Sequence, residues 1–237
     1  METLKTAIYA EQRERWPQTG RYILAQHDEQ SIIVYQAYRP SIAEFAASHC
    51  RFGGDFSYSR MSWIKPNFLW MMYRCGWCTK EGQERVLVVR LPLQFFDWLL
   101  SQAVPSTHDP VRFASREDWQ TAVRTSCVRL QWDPDRDPSG GKLERKAIQL
   151  GLRWDALAHY GQQAPLEILD ITAFVAEQRA HKASPHSLVT PLESVYVPQD
   201  EAVRSRIGLD GPQDGCQQPR PADRVLPAAS CLSIHGG

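Results

Sequence analysis

Apolar residues recur along this chain in two rhythms, and each rhythm predicts a different element. Arg21–His27 and Ser31–Tyr38 are β-branched and aromatic runs joined by a polar Asp28–Gln30 turn, so they read as two strands of a hairpin. Pro40 ends the second strand. Ser41 then offers an N-cap, with Glu44 at capping-box spacing and Ile42, Phe45 and Ala46 on one helical face. Gly53-Gly54 breaks that pattern. Pro66 suits the first turn of a second helix, whose apolar residues run from Phe68 to Tyr73 and which Gly76 terminates. Arg85–Leu91 has a continuous apolar centre, the mark of a strand buried on both faces. Short helices over 93–103 and from the Ser115 cap to Arg124 follow, then a strand over 127–132 and an acidic, Pro/Gly-rich turn over 133–141. Residues 147–152 read as a strand or a helix start. Residues 154–180 carry helical periodicity at Ile168, Ile171, Phe174 and Val175, and 188–198 is a last extended element.

This order of parts predicts an α+β protein: one domain, with a small split mixed or antiparallel sheet flanked by helices. A leading segment over 1–20, the domain over 21–207 and a tail over 208–237 are the expected divisions. In the tail Pro, Gly, Gln and Ser dominate, and such a chain buries too little apolar area to offset its ordering entropy, so a disordered tail is expected. No apolar run approaches the ~20 residues that span a bilayer, and the first residues lack the apolar core of a signal peptide. A cytoplasmic protein without membrane contact is the expectation. The six Cys are then expected to be free thiols. Formal net charge is zero, so global charge gives no argument for a nucleic-acid or membrane partner.

Local charge differs. Residues 60–77 combine three Trp with Arg60, Lys65 and Arg74, and 51–90 holds seven cations against three acids. Trp63, Trp70 and Trp77 recur every seven residues, so the last two share a face if the helix extends that far. Helical aromatics usually belong to a core. The functional alternative is a stacking surface for a base or nicotinamide ring. Lys65 precedes Pro66 at an expected helix N-terminus, where its charge is unfavourable and a bound phosphate would relieve it. Gln36 and Tyr38 project from one face of their strand and Tyr35 from the other. Gln36 is either a cross-strand partner or a reader of a base edge or carboxamide. Among the acids, Asp133 at a strand end and Glu193 are the candidates for stabilising a cationic transition state, with Glu84 a third carboxylate at a strand start.

Cys75-Gly76-Trp77-Cys78 has the spacing of a redox pair, but it follows a helix, where the dipole disfavours a thiolate. A zinc site would need a second pair at suitable spacing, and none occurs. P-loop, G-x-G-x-x-G, H-E-x-x-H and G-x-S-x-G patterns are absent.

Val34–Tyr38, Arg60–Pro66, Phe68–Arg74, Gln83–Arg85, Gln131–Pro134 and Ala147–Leu152 together resemble the family labelled domain of unknown function 4291, from about Ile8 to Tyr196. Cys50 and Trp154 stand where that resemblance leads one to expect glycine, and Cys75 where it leads one to expect serine. The order of strands and helices is also similar to the first half of ADP-ribosyltransferase-like folds. That similarity implies an enzyme that grips NAD in a cleft between two small sheets. Arg60, Trp63 and Lys65 would then hold the dinucleotide, with Gln36, Tyr38, Trp70, Arg74 and Gln149 as further ligand contacts. Glu193 or Asp133 would stabilise the oxocarbenium-like sugar as nicotinamide leaves. A non-catalytic nucleic-acid-binding module using the same surface, and a scaffold whose Trp residues are core, are the alternative expectations.

Overall fold

A computed structural model describes residues 4–211 and the backbone of Arg224–Val225. In chain order the elements are β1 (Lys5–Ile8), α1 (Tyr9–Arg13), β2 (Ile23–Ala25), β3 (Ser31–Tyr38), α2 (Pro40–His49), β4 (Ser62–Ile64), α3 (Phe68–Cys75), β5 (Arg85–Pro92), α4 (Leu93–Ser101) and β6 (Ala103–Pro105). They continue with α5 (Arg116–Thr125), β7 (Val128–Arg136), β8 (Lys142–Leu152), α6 (Trp154–Gln162), β9 (Glu167–Asp170), α7 (Thr172–Arg179), β10 (Val189–Pro191), β11 (Ser194–Tyr196), α8 (Glu201–Ile207) and β12 (Arg224–Val225). The fold is α+β with small open sheets, as expected.

Two sheets frame the molecule. One is antiparallel in the order β3-β5-β9; the other runs β4-β8-β7-β6, antiparallel except for β6 beside β7. Their facing sides close on one core: Val34, Leu87 and Val89 from the first sheet meet Ile64, Leu130, Ile148 and Leu150 from the second. The opposite face of the first sheet carries Ile33, Tyr35, Val86 and Val88, which α3 and α7 cover with Phe68, Leu69, Met72, Phe174 and Val175. Strand β5 is thus buried on both sides, which is what its unbroken apolar run requires.

Several local expectations are corrected. The hairpin is one: β3 pairs with β5 over eight residues, and β2 pairs with β11. Only the turn survives, in the bonds Asp28 N–H to Ser31 O (2.9 Å) and Ile33 N–H to Gln26 O (2.9 Å). A long apolar partner far along the chain outweighs a short local one because it buries more surface. Helix α2 begins at Pro40, one residue before the expected cap, and Ser41 instead bonds Asp55 (2.8 Å). Helix α3 begins at Phe68, because Asn67 caps it by accepting from Trp70 N–H (2.7 Å). Residues 147–152 form the end of the strand β8. The supposed helix over 154–180 is interrupted at Pro165, and β9 then adds to the open edge of β5.

The leading segment is stitched into the second core. Strand β1 pairs with β10, and the Trp16 indole N–H bonds Glu193 O (2.9 Å). Helix α8, which the sequence reading did not include, is capped by Asp200 and buries Val203 and Ile207. The expected tail lies largely outside the described residues; its first part, 208–211, bonds back to Arg21 and Tyr22.

Both positions where the family resemblance leads one to expect glycine have left-handed backbone: φ is 50° at Cys50 and 52° at Trp154. A residue with a Cβ pays about 1–2 kcal/mol there, partly offset in glycine by about 0.5–1 kcal/mol of extra chain entropy. Cys50→Gly and Trp154→Gly are each expected to raise unfolding free energy by about 1 kcal/mol in urea titrations. A loss of stability in both would show that side-chain contacts outweigh the backbone strain.

Candidate functional site

Between the two sheets the chain makes one short crossing. Ser62–Ile64 pairs with β8, and the next residue, Lys65, pairs with Tyr35 of β3 through Tyr35 N–H to Lys65 O (2.7 Å) and Lys65 N–H to Tyr35 O (3.3 Å). Four successive residues therefore link the two sheets, three on one and the fourth on the other. Beside this crossing opens a cleft of about 480 Å³, lined by Tyr38, Arg60, Ser62, Trp63, Lys65, Met71, Arg74, Gln83, Gln131 and Gln149.

The wall is built from strand alternation. Trp63 sits opposite Gly151, and Gln131 opposite Gln149, so all four occupy the outward face of the β4-β8-β7 sheet. Gly151 is required by the packing. A Cβ there would lie 3.0 Å from the Trp63 ring and 2.6 Å from Met61 Sδ. Trp63 is half-buried, and its indole N–H makes no hydrogen bond among the described residues.

Gln36 has a different job from the one expected of it. Its Oε1 accepts from Tyr160 O–H (2.7 Å), and its Nε2 donates to Ser62 Oγ (3.0 Å) and Trp63 O (3.1 Å). Gln36 lines the cleft, but with its amide N–H groups engaged and 2% of its surface exposed it chiefly fixes the crossing strand. Tyr38 O–H and Ser62 Oγ share a 2.8 Å hydrogen bond at the cleft edge. Gln149 Nε2 donates to Asp133 Oδ2 (2.6 Å) and Gln131 Nε2 to Asp133 Oδ1 (2.9 Å), so two amides on neighbouring strands hold one carboxylate beside the cleft.

The charges decide the character of the site. Arg85 pairs with Glu44 and Asp170, and Arg90 with Glu167. Among the described residues Arg60, Lys65 and Arg74 have no carboxylate within ion-pair distance; Arg74 reaches only Gln83 Oε1 (3.4 Å). Lys65 is 4% exposed, and no hydrogen bond engages its ammonium among the described residues. Burial lowers its pKa to about 8, the neighbouring Arg74 charge adds to that, and the Asp133 charge opposes it. Among the described residues this buried cation, which lines the cleft, has no anionic partner to offset its desolvation.

Two sequence-based candidates lie elsewhere. Glu193 is buried at the N-terminus of α3, where Phe68 N–H (2.7 Å) and Asn67 Nδ2 (3.3 Å) donate to its carboxylate. Desolvation pushes its pKa well above the usual carboxylate range. It caps a helix and does not line the cleft. Trp70 is also buried, stacked on Tyr73 with ring centroids 5.2 Å apart and with Arg136 over its ring. Trp77 lies past the end of α3 and packs on Phe68, so the seven-residue spacing places no second Trp beside Trp63. Ser62 and Gln131 were missed. Gln131 could have been found, since it shares the face of Asp133 two residues on.

Charging Lys65 in the folded state is costly. Below about pH 8 the folded protein carries the full penalty. Between about pH 8 and the ordinary lysine pKa of 10.5, the folded protein has shed the proton and the unfolded chain has not, so stability rises with pH. Lys65→Met is expected to stabilise the protein at pH 7 by up to about 3 kcal/mol, at about 1.4 kcal/mol per pKa unit, with the gain vanishing above pH 10.5. Denaturant melts across pH 7–10.5 check this; destabilisation at pH 7 would show that the ammonium is already satisfied.

No helix among the described residues is long and apolar enough to cross a membrane. No curated protein matches the chain in sequence. A family model described as a domain of unknown function matches residues 22–197, the stretch that supplies both sheets and every cleft residue named above. The chain belongs to the family of domain of unknown function 4291.

Proposed function

We propose that the cleft binds a nucleotide through its phosphates, that the nucleotide is NAD, and that the protein uses it as an ADP-ribose donor. The observation that carries the reading is the set of cations Arg60, Lys65 and Arg74, without a carboxylate partner among the described residues, around a half-buried Trp63 ring. Phosphate oxygens answer the cations; Lys65 acts as a buried point charge and the two Arg as forks at the rim. The Trp63 face takes a planar ring, an interaction that contributes about 1–3 kcal/mol per base. The volume of about 480 Å³ suits one small molecule, which favours a dinucleotide over a strand of nucleic acid that needs an extended groove.

Asp133 supplies the chemistry in this reading. As the bond from ribose C1′ to the nicotinamide nitrogen breaks, its electron pair leaves with nicotinamide and the sugar becomes cationic. A carboxylate held by Gln131 and Gln149 faces that charge without reorganising. The acceptor nucleophile then bonds to C1′ and loses its proton. The cytoplasm, where NAD is abundant, is the proposed compartment.

A thermal-shift series with NAD, AMP and short single-stranded oligonucleotides tests the binding. Ligand at one hundred times its Kd is expected to add about 2.7 kcal/mol of stability. Trp63→Ala and Lys65→Met should each weaken NAD binding by at least tenfold. Asp133→Asn should keep binding and lose nicotinamide release by about a hundredfold or more. A shift with oligonucleotides alone, falling steeply with salt, would replace the NAD reading by the nucleic-acid one. No shift with any of them would leave the cleft without a nucleotide role.

A further inference from the structure

The cleft is lined by Gln36, Gln83, Gln131 and Gln149, and their hydrogen bonds divide them into two kinds. Gln36 Oε1 accepts from Tyr160 O–H (2.7 Å), and Gln83 Oε1 accepts from Arg74 (3.4 Å). Gln131 and Gln149 are turned the other way. Both donate from Nε2 to Asp133, at 2.9 and 2.6 Å. An ionised carboxylate only accepts, so each amide must present its N–H side to Asp133 and its oxygen away from it. Neither of these Oε1 atoms accepts a hydrogen bond among the described residues. One carboxylate thus sets the polarity of two groups in the cleft wall, and both offer acceptors.

The sheet register puts these acceptors beside the Trp63 ring. Gln131 and Gln149 are direct partners across β7 and β8. Two residues along β8, on the same face, comes Gly151, and Trp63 stands opposite it on β4. With no side chain at Gly151, the Trp63 ring leans over that position, 3.0 Å from where a Cβ would lie. Trp63 and Gln149 are therefore diagonal neighbours, a relation in which side chains about 7–8 Å apart at the backbone still meet when they are long or aromatic. A planar ring stacked on Trp63 lies within reach of the Gln149 oxygen, with that of Gln131 on the next strand.

We propose that Gln131 and Gln149 read a primary amide on the ring that stacks on Trp63, so that the cleft selects a nicotinamide head group over its acid. The inference rests on the NAD reading above, in which Asp133 faces the ribose C1′ that bears this ring. The amide NH2 group donates its two hydrogens to the two glutamine oxygens. A ketone at the same place would leave both oxygens without a donor. A carboxylate would set acceptor against acceptor, with the Asp133 charge behind them. Asp133 is then also a positioning residue, since it holds both glutamines in the orientation that reads the amide.

Dissociation constants are measured by calorimetry on the full-length protein for NAD and for analogues changed at one group. In one the amide is a carboxylate (nicotinate), in another the amide NH2 is a methyl group (3-acetylpyridine), and in the last hypoxanthine replaces adenine. The neutral methyl ketone is expected to bind about tenfold more weakly than NAD, and the acid about a hundredfold more weakly. The hypoxanthine analogue should bind as NAD does. Asp133→Asn lets the amides turn, so it should keep NAD binding and bring the acid to within about threefold of NAD. If ketone and acid both bind as tightly as NAD, the NAD reading stands and the amide pair reads nothing. A loss confined to the acid assigns the selection to charge alone and overturns the hydrogen-bonding role. A loss confined to the hypoxanthine analogue puts adenine at the amides and also overturns the proposal. If NAD itself does not bind, the NAD reading fails and this inference falls with it.

Discussion

Everything at the site depends on the crossing at 62–65, where one run of backbone satisfies the edges of two sheets. Ser62–Ile64 completes the ladder of β8, and Lys65 completes that of β3. Buried backbone groups must find partners, so neither sheet edge can slide without orphaning hydrogen bonds. The Gln36 amide locks the same crossing from the side, with its donors and acceptor engaged by Ser62, Trp63 and Tyr160. Trp63 and Lys65 therefore enter the cleft on rigid backbone, which is the support a binding residue needs if its geometry is to be held.

Against that rigid frame the charges are unbalanced. The protein is neutral overall and pairs Arg85 and Arg90 with acids. It also buries an Asp135–Arg145 pair at 2.6 Å. Around the cleft three cations have no carboxylate partner among the described residues, and one of them lies in low dielectric. Burying the Lys65 ammonium without a partner lowers stability unless an anion is bound; Arg60 and Arg74 are exposed and carry little such cost. Stability given up at one place is the mark of a site shaped for something other than folding.

Much of this was legible in the residues. The α+β class, the doubly buried β5 and the termination of α3 at Gly76 follow from periodicity and from local backbone preference, which act over a few residues. Arg60, Trp63, Lys65 and Arg74, concentrated in one stretch of chain, all line the cleft, as does Gln149; Asp133 sits beside it, bonded to Gln131 and Gln149. Misreadings arose where a partner distant in sequence decided the outcome. Strand β2 joined β11 because β5 claimed β3; β9 interrupted a helical pattern because β5 had an open edge; Glu193 became a helix cap because Asn67 shifted the start of α3.

The sequence by itself determined which residues can carry charge, ring and thiol, and which segments are strand or helix, since these are properties of composition and local spacing. Tertiary structure alone decided which of them meet. Gln36 was bonded to the crossing strand at the cleft, Trp70 and Trp77 were buried away from Trp63, and Ser62 and Gln131 were brought in. These outcomes turn on sheet pairing across up to 90 residues, where the surface buried between strands, and not the preference of any one residue, selects the partner.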